Sequence, residues 1–246
     1  MDIRQYLDST YLKTAEQAGL SADENRKVVA GFVTEAIDHK FKLIMIRPDM
    51  VSMAREMVDK ANSSVLVGTV IDFPHGTSAL QAKLDEARQA IEAGADELDY
   101  VCNYQAFIAG DEDVVREEIL EGTRLGLDHL KVVKWIIEVA ALSDEQIARI
   151  SALIKAVVVE NFEGHYNEVF VKSSTGFFKA PDGMPNGATV KSVTIMLDNA
   201  SPLPVKAAGG VRTLEEAQEM IGLGVKRIGT SSAKAIAGGG TSTSGY

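Results

Sequence analysis

Three lysines in this 246-residue chain each close or interrupt a short apolar run: Lys134 in VVKWII, Lys172 at the end of VFVK and Lys206 at the end of LPVK. A single lysine in such a run is ordinarily a surface group, its stem covering apolar area while the ammonium reaches water. Three in successive segments, with Asp99 embedded the same way in ELDYV, describe instead a charged cluster carried on buried strands. Burial and neighbouring positive charge both disfavour an ammonium and lower its pKa. A lysine that is partly neutral near pH 7 attacks carbonyl carbon and forms a Schiff base. An aspartate among such lysines offsets part of their charge and can move protons. Period-two alternation puts Lys134, Ile136 and Glu138 on one face of their strand and Val133 and Trp135 on the other. Lys40, Lys60 and Lys155 lie in helical or polar contexts and read as solvated.

Three segments of small residues follow strands in the second half of the chain: SSTG at 173–176, AGGVRT at 208–213 and GTSS at 229–232. Each is expected to lead into a helix. Backbone N–H groups at helix starts, approached closely over small residues, bind anions. Together, and next to strands that carry lysine, the three segments point to a phosphate cradle. Arg212 either reaches that anion or pairs with Glu215 or Glu216 at the helix start.

Positioning these groups takes an alternating fold. Strands are expected at 42–46, 65–71, 96–101, 131–137, 168–172, 203–208 and 225–229, with an eighth near 3–8. Helical spacing of apolar residues appears at 79–93, 112–126, 143–158, 187–198 and 213–222, and Gly94 and Gly224 are placed to stop two of the helices. Strict alternation implies parallel strands joined by right-handed crossovers, and eight units in about 250 residues match an α/β TIM (β/α)8 barrel of a single domain. A doubly wound open sheet would usually carry a Gly-rich turn after its first strand, where this chain has STYLKT. In a barrel the chemistry lies at the C-terminal ends of the strands, where the lysines are. The barrel is expected over 1–237, followed by a tail at 238–246, GGGTSTSGY.

The formal net charge is −10, which speaks against a nucleic-acid partner, since a basic face supplies most of that affinity. No apolar run approaches the roughly 20 residues that span a bilayer, so no membrane partner is expected. The N-terminal MDIRQYLDST lacks the pattern of a signal peptide, and a cytoplasmic location is expected. Cys102 is the sole cysteine and reads as a core filler, although its position three residues past Asp99 would also let it face the site. Of the four histidines only His75 lies near a strand end, and it reads as structural. Phe177 and Phe178 either wall the pocket or pack at the barrel rim, and 159–168 reads as a long connection.

VKSSTG at 171–176 and KAAGGVRT at 206–213 resemble two signature segments of the deoxyribose-phosphate aldolases. KWIIEV at 134–139, GADELD at 94–99, DFPHG at 72–76 and LDSTYLK at 7–13 are similar to further segments of that family, and the resemblance runs from about residue 3 to 237. It implies a class I aldolase that reversibly cleaves 2-deoxy-D-ribose 5-phosphate to D-glyceraldehyde 3-phosphate and acetaldehyde. Lys172 is implied as the Schiff-base lysine, with Lys206 depressing its pKa and assisting proton transfer. Asp99 is implied as a proton relay acting with a water, and Lys134 completes the charged cluster. The implied substrate and phosphate contacts are Asp8, Thr10, Thr175, Gly176, Gly209, Gly210, Ser231 and Ser232. The resemblance implies no metal and no organic cofactor, and it is compatible with a homodimer. Some relatives have a cysteine near the substrate where this chain has Met45, and some end in a tyrosine that aids proton abstraction. Tyr246 takes that role by resemblance, or else belongs to a disordered end. Other lysine-dependent barrel aldolases and a non-catalytic sugar-phosphate-binding protein stand as alternatives. The three lysines with one aspartate speak against both.

Overall fold

The computed structural model describes residues 2–181 and 183–240. Eight parallel strands run in chain order and close on themselves: β1 Leu7–Thr10, β2 Leu43–Ile46, β3 Leu66–Ile71, β4 Glu97–Val101, β5 Val132–Ile136, β6 Val169–Lys172, β7 Val205–Ala208 and β8 Arg227–Thr230. The helices among the described residues are α1 Ala15–Ala18, α2 Ala22–His39, α3 Val51–Lys60, α4 Leu80–Glu92, α5 Tyr104–Ala109, α6 Glu112–Asp128, α7 Asp144–Asn161, α8 Val190–Ala200, α9 Leu214–Leu223 and α10 Ala233–Ala237. The barrel expected from the alternation is the one observed. Among the described residues no helix is long and apolar enough to cross a membrane.

Local chemistry sets the helix ends. Ser21, Ser143 and Thr213 each cap a helix through a reciprocal pair with the side chain three residues on, which satisfies N–H groups that the helix leaves unpaired. Gly224 ends α9 at φ 117°, a left-handed conformation that a Cβ would strain.

Alternation divides each strand between two layers. Leu98, Tyr100, Val133, Trp135, Val171, Ala207 and Ile228 join the large core between sheet and helices. There Trp135 stacks on Tyr100 at 4.8 Å, and its indole N–H donates to Thr123 Oγ1 at 3.0 Å. Gly122 makes room for the ring, since a Cβ there would lie 2.8 Å from Trp135. The other face of the strands points into the barrel. Its β2–β3 side is apolar, with Leu43, Met45 and Val70 packed together.

Several boundaries differ from the sequence expectation. The segment at 3–8 opens as a 3₁₀ turn, Ile3–Tyr6, because the Asp2 side chain accepts from Arg4 N; the strand is Leu7–Thr10. The seventh strand starts at Val205 rather than 203, after Pro204, which has no N–H to offer a ladder. The SSTG segment does not lead into a helix. Pro181, Pro185 and the glycines between and after them keep the chain irregular until Thr189 caps α8. Lys206 accordingly lies inside its strand, with Ala207 and Ala208 beyond it. The expected long connection shortens to 162–168, because α7 continues to Asn161.

Candidate active site

Pairing register brings the predicted residues side by side. Asp99 on β4 pairs with Lys134 on β5, Lys172 on β6 pairs with Lys206 on β7, and Lys206 pairs with Arg227 on β8. All five side chains are buried in the barrel interior, Lys172 retaining only 3% exposure. Lys134 Nζ lies 2.6 Å from Asp99 Oδ1, while Lys172 Nζ and Lys206 Nζ lie 2.8 and 2.9 Å from Oδ2. The sequence-read lysines and the aspartate thus meet at one carboxylate.

Two further groups complete a closed circuit of ion pairs. Lys206 Nζ also reaches Asp8 Oδ2 at 2.6 Å, and Asp8 Oδ1 accepts from Arg227 Nε at 2.7 Å. Arg227 then grips Glu97 through two bonds of 3.0 Å, and Glu97 Oε2 lies 2.5 Å from Lys134 Nζ. Asp8, expected as a substrate contact, bridges Lys206 and Arg227. Arg227 and Glu97 carried no role in the sequence reading. The signal was present: Glu97 lies two residues before Asp99, and Arg227 two before Gly229, so each faces the interior with its neighbour.

The electrostatic consequence falls on Lys172. Burial depresses its pKa; Asp99 opposes that shift, and the charges of Lys206 and Lys134 add to it, leaving a value of about 8. Lys134 shows the opposite outcome. Burial again disfavours its charge, but Asp99, Glu97 and Asp8 together raise its pKa. Burial also works against an ionised Asp99, yet Lys134, Lys172 and Lys206 hold it well below the usual carboxylate range. At pH 7 the cluster therefore holds a firm anion, a firmly charged lysine and one amine able to give up its proton.

Glu138 is a third residue to which the sequence assigns no role. It follows β5 at φ 57°, and its carboxylate accepts from Ser174 Oγ at 2.7 Å, Thr175 N at 3.2 Å and the Thr175 hydroxyl. Burial pushes its pKa up. A non-glycine residue in this region of φ is uncommon and costs energy, so the turn is held by those bonds. They tie the end of β5 to the loop that follows Lys172.

The predicted phosphate cradle is a cleft lined by Gly176, Asn186, Gly209, Gly210, Val211, Arg212, Gly229, Thr230 and Ser231. Gly209 and Gly210 adopt φ of 76° and 95°, a backbone that favours glycine. Among the described residues the N–H groups of Gly209, Gly210 and Ser231 have no protein acceptor. The amides of Gly176 and Ser232 are already taken, by Ser174 Oγ at 2.9 Å and Thr230 Oγ1 at 3.0 Å. The hydroxyls of Thr10 and Thr175 donate to Asp8 O and to Glu138. Glu216 accepts from the backbone of Arg212 and of Thr213. Gly229 joins cleft and cluster, since a Cβ there would lie 3.1 Å from Lys206 Cε.

The mouth of the barrel has an aromatic rim. Phe73 meets Phe177 edge-on at 5.0 Å, and both pack on Leu12, Met45 and Val70. Arg47 lies over the other part of this rim, 4.8 Å from the Phe73 ring, and donates to Leu12 O and Phe73 O. Phe178 turns instead toward Tyr104. Cys102 is fully buried with Tyr100 and Leu98 in the layer behind the sheet, so it does not face the site; burial pushes its thiol pKa up. His75 is exposed, as are Lys40 and Lys60, while Lys155 is half-buried. Lys83, a helical lysine not singled out from sequence, is buried. Its position in the 80/83/84/87 stripe of α4 was the available sign. Tyr246 lies outside the described residues.

A family model described as DeoC/LacD family aldolase matches residues 12–237. Among curated proteins, the deoxyribose-phosphate aldolase of Thermococcus gammatolerans is 37% identical over 240 residues, covering 97% of this chain and 96% of the relative. That of Lactococcus lactis subsp. cremoris is 37% identical over 247 residues, covering all of both chains. Among solved structures, one titled "QR15, an Aldolase" is 33% identical with a TM-score of 0.79 and covers 97% of this chain and 95% of its own. A tetrameric deoxyribose phosphate aldolase from Aeropyrum pernix is 27% identical with a TM-score of 0.77, covering 96% and 89%.

Proposed function

The chain belongs to the DeoC/LacD family of aldolases, and from that premise we propose that it reversibly cleaves 2-deoxy-D-ribose 5-phosphate to D-glyceraldehyde 3-phosphate and acetaldehyde through a Schiff base on Lys172. The observation that carries the reading is the buried amine of Lys172, held at 2.8 Å from Asp99 and lowered to a pKa of about 8.

The steps follow from these groups. Neutral Lys172 adds to the aldehyde carbon of the open-chain sugar, and water leaves to give a protonated imine. The imine draws in the electron pair of the C2–C3 bond as the 3-hydroxyl proton departs. Glyceraldehyde 3-phosphate is released and a two-carbon enamine remains. Protonation of the enamine carbon and hydrolysis free acetaldehyde and regenerate the amine. The iminium is itself the electron sink, so these steps call for no metal and no organic cofactor. Asp99, through a water, and Lys206 are the groups placed to relay protons, and Lys134 fixes Asp99 from its other oxygen. The apolar wall of Leu12, Met45 and Val70 suits a small donor without hydroxyls. The open amides of Gly209, Gly210 and Ser231 suit the phosphate, with Gly176 shaping the turn and Ser232 backing it. Assembly of identical copies is part of the same reading, supported by the tetrameric Aeropyrum pernix relative.

The test is product identity. Incubation with 2-deoxy-D-ribose 5-phosphate is expected to release acetaldehyde and glyceraldehyde 3-phosphate in equal amounts, and Lys172→Ala to release neither. A different donor fragment would move the chain to another lysine-dependent aldolase activity.

A further inference from the structure

We infer that Arg227 is a positioning residue for the reaction: from β8, the strand next to that of Lys206, it occupies Asp8 and Glu97, so that a surplus of positive charge remains around Lys172. The inference rests on the reading of Lys172 as the reacting amine.

Arg227 touches no part of Lys172. Its guanidinium takes both oxygens of Glu97 at 3.0 Å and Asp8 Oδ1 at 2.6 and 2.7 Å. Asp8 has its other oxygen left for Lys206, and Glu97 Oε2 is shared between Arg227 and Lys134. The interior thus holds four cations, Lys134, Lys172, Lys206 and Arg227, against three carboxylates, Asp8, Glu97 and Asp99. The imbalance of one charge disappears when one cation gives up a proton. Arginine cannot do so in a protein. Lys134 is held charged by three carboxylates. Lys172 has a single carboxylate, Asp99, and shares the contacting oxygen with Lys206. The surplus is therefore relieved at Lys172, the amine that must be neutral to attack. A planar fork suits the task because it spans two carboxylates at once, which a single ammonium does not do with the same geometry.

The charged groups facing Lys172 are Asp99 on β4, Lys134 on β5 and Lys206 on β7, with Glu97, Asp8 and Arg227 behind them and Glu138 beyond β5. Glu138 is bonded by Ser174 and Thr175, away from the circuit, and is common to every variant below.

The experiment reads the proton affinity of Lys172 without substrate. The full chain is treated with acetic anhydride across a pH series, and acetylation of Lys172 is followed by peptide mass spectrometry. Charges within roughly 10 Å at an effective dielectric near 20 shift one another by about one pH unit. Arg227→Gln is expected to raise the midpoint by about that amount, because it removes the surplus. Arg227→Gln with Glu97→Gln restores the imbalance and should return the midpoint toward wild type. Glu97→Gln alone should lower it, and carries the test if Arg227→Gln does not fold. An unchanged midpoint in Arg227→Gln, or in Glu97→Gln, overturns the inference. So does a double variant displaced as far as the single, which would mark a loss of packing rather than of charge. Shifts as expected in an enzyme that traps no aldehyde at Lys172 would uphold the charge coupling of Arg227 to Lys172 and overturn the Schiff-base reading.

Discussion

Lys172 and Lys206 reach the same oxygen of Asp99, at 2.8 and 2.9 Å. Their two nitrogens are therefore no farther apart than those distances laid end to end. Two ammoniums that close, in a buried site, cannot both be comfortable, and the one with fewer carboxylates yields. Asp8 holds Lys206 at 2.6 Å, whereas Lys172 forms no second ion pair besides Asp99 among the described residues. The adjacent strand positions of the two lysines, paired in register, are what impose this competition.

Lys206→Leu removes the competing charge. Lys172 then holds its proton more tightly and is neutral only at higher pH. The acid limb of the pH–kcat profile is expected to move upward by about one unit, on the same electrostatic scale as other neighbouring buried charges. A profile with lower amplitude but an unmoved limb would remove Lys206 from this role.

Asp99→Asn has the opposite sign on the limb. It takes away the anion that favours the charged form of Lys172, so the amine becomes neutral at lower pH. Activity nevertheless falls, by roughly 10²-fold or more, because the proton relay is lost. A kcat within threefold of wild type would show that Asp99 only balances charge.

Ser231→Asp puts a carboxylate at the cleft where the amides of Gly209, Gly210 and Ser231 are open. Repulsion of a phosphate at contact range is worth about 1–2 kcal/mol in a partly solvated cleft, hence a KM increase of roughly tenfold or more for 2-deoxy-D-ribose 5-phosphate. Plain 2-deoxy-D-ribose should show little change. Equal effects on the two substrates would detach the cleft from the phosphate.

Lys83 tests the scaffold rather than the chemistry. Its Nζ donates to Gly76 O and Val101 O at 2.9 Å and to Glu118 at 2.5 Å, tying α4 to the loop after β3, the end of β4 and α6. Glu118 in turn accepts from Asn103 N. Lys83→Met leaves that carboxylate buried without its cation, a loss of about 3–5 kcal/mol, whereas Lys83→Met with Glu118→Gln should recover part of it. Thermal unfolding measures both. A double variant less stable than the single would contradict the buried-charge origin.

The barrel was legible because period-two strands and helical stripes alternate along the whole chain, and the lysine cluster was legible because a charge within an apolar run is conspicuous. Arg227 and Glu97 were not conspicuous. VKRIG carries two adjacent cations and DELD two acids beside the aspartate, so each looks like an ordinary charged strand end. Only closure of the barrel, which sets β8 and β4 across from one another, turns them into a pair. Glu138 is expected on the strand face of Lys134 and Ile136, but it lies beyond β5, and the turn that swings it onto Ser174 and Thr175 depends on a left-handed φ that its neighbours do not announce. The loops that line the cleft were legible as small-residue segments. Which amides are open was not, because Ser174 Oγ and Thr230 Oγ1 fill two of them through bonds that depend on the folded turn.

The Schiff base on Lys172 is the claim on which the rest depends, and reductive trapping measures it directly. With acetaldehyde and sodium borohydride, a single two-carbon adduct is expected, located at Lys172 by peptide mass spectrometry and absent from Lys172→Ala. No adduct, or one that persists in Lys172→Ala, would contradict it.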